Sequence, residues 1–169
     1  GISAGNYIFS IYGEDNQGRQ SALLTFPVSV TGGATTRVSG IFIAPTIAVD
    51  KSEVKRGDTL VIFGQSLPQS DITIQVNSEQ EFFAKAKADA SGAYLYNLDT
   101  AFLENGEHWT KSKASKDNEI SAFSKAVSFK VGVKTIIAEE GFNKADLNKD
   151  GRVNLIDFSV AAYWYKRPS

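Results

Sequence analysis

Between residues 45 and 132 the chain breaks into seven short runs rich in β-branched and aromatic residues, each bounded by Gly, Pro, Ser, Asp or Asn. They cover 47–49, 59–63, 72–76, 82–88, 93–96, 107–114 and 126–131. Alternation is plainest in the third, where Ile72, Ile74 and Val76 share one face and Thr73 and Gln75 the other. Side chains of a strand point alternately to its two faces, so such a run forms a half-buried strand with one apolar side.

Seven strands at roughly ten-residue intervals are the signature of an immunoglobulin-like β-sandwich. The expected fold is therefore mainly β, an immunoglobulin-like sandwich over 45–132, followed by a small separate unit over 133–169. The chain has no cysteine, which removes disulfides, thiolate zinc sites and cysteine nucleophiles from consideration. Eighteen basic and 19 acidic residues leave a net charge of -1, so bulk charge offers nothing to nucleic acid or to an acidic membrane surface. No apolar run approaches the roughly 20 residues that cross a bilayer. Gly1-Ile2-Ser3-Ala4-Gly5 has neither the basic start nor the apolar core of a signal peptide, and the expectation is a segment of a longer chain.

Residues 1–31 repeat the pattern of the last strands. A shift of 101 positions lays 2–7 on 103–108, and Phe26, Val28 and Val30 on Val127, Phe129 and Val131. Only Gly5/Gly106 and Val30/Val131 are identical across these stretches, so pattern carries the comparison. A period near 100 residues is the size of one sandwich. Residues 1–31 are accordingly read as the C-terminal strands of a preceding immunoglobulin-like module, the alternative being the alternation common to all β-hairpins. Residues 32–44 form a linker and lead-in, small and polar at Thr31–Thr36 and apolar at Ile41–Ile43. A hairpin by itself is marginal in water, so 1–31 should lean on a neighbour.

The stretch with chemistry in it is 146–157. Asp146, Asn148, Asp150, Asn154 and Asp157 stand at loop positions one, three, five, nine and twelve, with Gly151 at six. Calcium takes six to eight oxygens at about 2.3–2.6 Å, and alternate Asp/Asn residues on a tight loop aim theirs inward. Gly permits the sharp turn and Arg152, at position seven, offers its backbone carbonyl. A helix over about 155–165 should follow, ending before Pro168. An Asx-rich turn without metal is the bland alternative. Lys149 and Arg152 beside the carboxylates imply modest affinity.

This loop resembles one repeat of a dockerin, with its Asp-x-Asn-x-Asp-Gly-x-x-Asn-x-x-Asp spacing and Asp rather than Glu at position twelve. The resemblance covers roughly residues 143–166. It implies calcium held by Asp146, Asn148, Asp150, the Arg152 carbonyl, Asn154 and Asp157, and a cohesin-like or other surface protein as partner. Dockerins pair two repeats, whereas this sequence contains one, and positions ten and eleven, often Ser/Thr in dockerins, are Leu155 and Ile156. The following helix is apolar almost all round, which suits burial on more than one side. Residues 52–60 are similar to the opening phrase of bacterial immunoglobulin-like surface modules.

Catalysis finds little footing. His108 is the sole histidine, lies in an expected strand, and falls where Tyr7 sits in the other copy. Trp109 could join an aromatic sugar platform, although a lone strand Trp more often packs. Two readings from different classes follow. One is a non-catalytic extracellular or cell-surface segment, an immunoglobulin-like spacer with a calcium-dependent dockerin-like assembly unit. The other is an accessory region of an extracellular carbohydrate-active hydrolase, with the sandwich as spacer or carbohydrate-binding module.

Overall fold

The structure, a computed structural model, describes residues 2–78 and 81–138. The expected calcium loop-helix lies outside these residues.

Within 46–138 the strands fold as two facing sheets. β3 (Ala48–Val49), β5 (Thr59–Gln65) and β8 (Ala93–Asp99) form the smaller sheet, in the order β3-β5-β8. The larger runs β12 (Ile136–Ile137), β4 (Lys51–Lys55), β11 (Val127–Gly132), β9 (Gly106–Lys116), β6 (Asp71–Asn77), β7 (Phe82–Lys87), with β10 (Glu119–Ile120) paired to β9. The chain crosses from one sheet to the other between β3 and β4, where β4 joins β11 in parallel. This strand order is that of an immunoglobulin-like sandwich: β3, β5 and β8 stand as strands A, B and E, and β6, β7, β9 and β11 as C, C′, F and G.

All seven expected strands are present. Two-residue alternation explains why they form and what they bury. Leu60 and Ile62 on β5 face Ile72, Ile74 and Val76 on β6, with Leu98, Phe129 and Val131 completing a core that is at most 1% exposed. Each such side chain contributes about 1.5–3 kcal/mol over its exposed state. Within the sandwich, sequence missed β4 and the two-residue β10 and β12, and β4 is the longest of these. Lys51-Ser52-Glu53-Val54-Lys55 reads as polar, yet Val54 is fully buried and Glu53 is 7% exposed, half of a pair with Lys130 on β11 at 3.7 Å. Asp117 and Asn118 form the tight β9–β10 turn with φ of 50° and 66°, a left-handed pair that Asp and Asn tolerate best after Gly.

Residues 5–30 form a separate two-stranded sheet, β1 (Gly5–Ile11) and β2 (Leu24–Val30). Its pairing reproduces that of β9 with β11. Gly5 faces Val30 and Tyr7 faces Val28, as Gly106 faces Val131 and His108 faces Phe129, every position displaced by 101. The loops correspond too. Ser21 Oγ accepts from Gly13 N and Ser21 N donates to Gly13 O, both 2.9 Å, and Ser121 makes the same two bonds with Ala114 at the same lengths. No helix among the described residues is long and apolar enough to cross a membrane.

Candidate functional site

Asp146, Asn148, Asp150, Arg152, Asn154 and Asp157 all lie outside the described residues. Among the described residues, no three His, Cys, Asp or Glu side chains gather as a metal site. Three other places hold functional side chains in defined geometry.

The first is a structural corner. His108 is 4% exposed and stacks on Phe129 with ring centroids 5.4 Å apart. Its Nε2–H donates to the Glu104 carbonyl at 2.9 Å, and the buried Nδ1 has no partner among the described residues. The Tyr7 hydroxyl makes the equivalent bond to the Ser3 carbonyl at 2.8 Å, again four residues back. A side chain near the start of strand F bonding its upstream backbone is the tyrosine corner of immunoglobulin-like domains. His108 occupies a corner position, facing the core.

The second is the contact between hairpin and sandwich. Asp15, 8% exposed, accepts from Gln17 N and Arg19 N at 3.0 Å through Oδ1. Through Oδ2 it accepts from Arg19 Nε at 2.6 Å and from the Thr46 hydroxyl at 3.1 Å. Burial opposes the charged carboxyl, but the Arg19 side-chain and backbone bonds, the Gln17 backbone bond and the Arg19 charge together hold it below its ordinary value. Arg19 also lies over the Phe63 ring, 4.9 Å from its centroid. Thr46 passes the connection inward. Its hydroxyl accepts from Gln65 N at 2.9 Å, and its carbonyl accepts from Tyr94 Oη at 2.7 Å. Tyr94 Oη lies 2.9 Å from Ser112 Oγ, and burial pushes this phenol far above its ordinary range. Both Asp15 oxygens are engaged within the chain, which makes this a latch between units. That residues 1–31 lean on a neighbour is expected from sequence, but Asp15 is not singled out there, because Asp15-Asn16-Gln17-Gly18 is a polar stretch with no pattern pointing to burial.

The third is the outer face of the larger sheet. Trp109 is 50% exposed and Phe83 53%. Between them lies Gln75, 5% exposed although it points away from the core, with Nε2 donating to Asn77 Oδ1 and Glu81 Oε1 at 2.9 Å each. The cross-strand register sets Gln75 between Phe83 and Lys111, and Thr73 between Lys85 and Lys113. Lys111 Nζ and Lys113 Nζ converge on the Phe123 ring, 4.5 Å and 5.1 Å from its centroid. Trp109, singled out by sequence, is part of this face; Phe83, Phe123 and the lysines were not, because only the strand register brings them together.

No protein-family model and no curated protein matches the chain. Solved structures do. A bacterial cell-surface-expressed multi-modular chitinase from Paenibacillus aligns at 16% identity and TM-score 0.42, over 61% of this chain and 9% of that one. The chicken interferon gamma receptor alpha chain aligns at 11% identity and TM-score 0.41, over 77% and 68%. The D00-D0 domain of intimin aligns at 14% identity and TM-score 0.41, over 75% and 65%. The fold assignment rests on the strand order and the corner bonds described above.

Proposed function

We propose that this chain is a non-catalytic segment of a bacterial cell-surface or secreted protein, with immunoglobulin-like spacers in tandem followed by a calcium-binding, dockerin-like assembly unit. The tandem reading is supported by one observation above the rest. The β1–β2 hairpin carries the register, the serine bonds and the corner of the β9–β11 hairpin. In this reading residues 2–31 are strands F and G of a preceding module. Their apolar face, with Tyr7, Phe9, Ile11, Phe26 and Val28 half-buried, is the counterpart of the face that the sandwich covers in the second module.

The Asp15–Thr46 latch suits a spacer, since a buried hydrogen bond from Thr46 to an Asp15 already paired with Arg19, and Arg19 lying over Phe63, tie one module to the next. The calcium role is supported by the 146–157 ligand pattern, and assembly by the apolar helix expected after it. Calorimetric titration of the 169-residue chain with calcium tests this unit. Saturable heat with a Kd of about 10⁻⁴–10⁻³ M, the range of extracellular modules, is the expected result. Asp150→Ala should abolish it. A flat titration for the unsubstituted chain would leave only a β-rich spacer.

A further inference from the structure

We propose that the outer face of the larger sheet, centred on Trp109, Lys111 and Lys113, binds an acidic polysaccharide. The inference is independent of the calcium reading and rests on the strand register. Two ammonium groups lie against the Phe123 ring, and neither they nor Lys85 is within ion-pair distance of a carboxylate among the described residues. Three carboxylates are near in register, none of them in an ion pair with these lysines. Glu81 is bound to Gln75, while Asp71 and Glu107 pair with positions at the ends of the array. Like charges set together in this way repel, and an arriving anion relieves that cost.

The rest of the face selects among anions. Trp109 and Phe83 expose rings that can stack on the apolar side of a sugar. Thr73 and Asn77, half-buried on the same face, offer a hydroxyl and an amide NH2 to sugar hydroxyls, while the buried Gln75 holds Asn77 and Glu81 in place. An antiparallel sheet face is open along its length, which suits an extended polymer. Protein interfaces are depleted in lysine, and this patch is built around it. Single-stranded nucleic acid also uses aromatics and cations, but along a basic groove; here the patch is open and the net charge of the chain is -1.

Affinity electrophoresis of the full 169-residue chain in EDTA decides the matter, the chelator removing any calcium bridge. Polygalacturonate is the probe, its methyl-esterified form the uncharged control with the same backbone, and single-stranded DNA the rival polymer. Retardation by polygalacturonate, lost with the esterified form, is the expected result. Lys111→Ala/Lys113→Ala and Trp109→Ala should each weaken it by about tenfold or more, equivalent to about 1.4 kcal/mol, with unchanged thermal unfolding. No retardation by polygalacturonate, equal retardation by its ester, equal retardation of the variants, or stronger retardation by DNA would each overturn the proposal.

Discussion

Single residues carry the joints of this molecule. Asp15 is held charged by Arg19 and by backbone donors while buried against Thr46, so its removal leaves a guanidinium and a hydroxyl without their acceptor. Removing one partner of a buried pair costs more than the pair contributes. Asp15→Ala should weaken hairpin docking by about 2 kcal/mol, read as faster amide exchange in β1 and β2. The pH dependence has a definite sign. The folded-state pKa lies below the ordinary 3.8, so the contribution is present above 3.8 and disappears as pH falls through the folded value. Hairpin protection should therefore fall as pH drops below 3.8 and through the folded-state value, and Asp15→Asn should remove that dependence. Gly64 is a second joint. A Cβ there would stand 2.0 Å from the Thr46 carbonyl oxygen and 2.8 Å from the Tyr94 hydroxyl. Gly64→Ala must displace backbone, and a loss of about 2 kcal/mol in chemical unfolding is expected.

Among elements, the clearest lesson comes from the corner. His108→Ala removes both the Glu104 bond and the stack on Phe129, and should cost about 3 kcal/mol, as loss of a buried aromatic does. His108→Tyr, restoring what the first hairpin uses at Tyr7, should recover much of it. Denaturant midpoints compare the three. His108 reads as structural from its equivalence to Tyr7 at a shift of 101, and most of the seven strands are legible because they bury one alternating apolar face. Other features were hidden for physical reasons. β4 is polar in sequence because it borrows its pairing from β11 and sinks only Glu53 and Val54. The aromatic-lysine face is assembled from β6, β7, β9 and the segment after β10, positions that become neighbours only through register. No local pattern announces them.

At the scale of the whole molecule, two observations at different levels meet. The hairpin repeats the β9–β11 strand pairing at a displacement of 101 residues, and the Thr46–Asp15 hydrogen bond with Arg19 over Phe63 joins it to the sandwich. Beyond them the sequence spaces Asp146, Asn148, Asp150, Asn154 and Asp157 as a calcium loop would, the basis of the proposed metal site. A spacer that fixes module orientation, followed by a metal-ordered docking unit, is a coherent arrangement for a surface protein. Its central claim is the metal, and it can be watched residue by residue. In a calcium titration of the isotopically labelled chain followed by amide NMR spectra, the resonances of 146–157 should move together and saturate by about 10 mM, with those of the sandwich core unmoved. Amide positions in that loop unchanged at the same concentration would contradict the account.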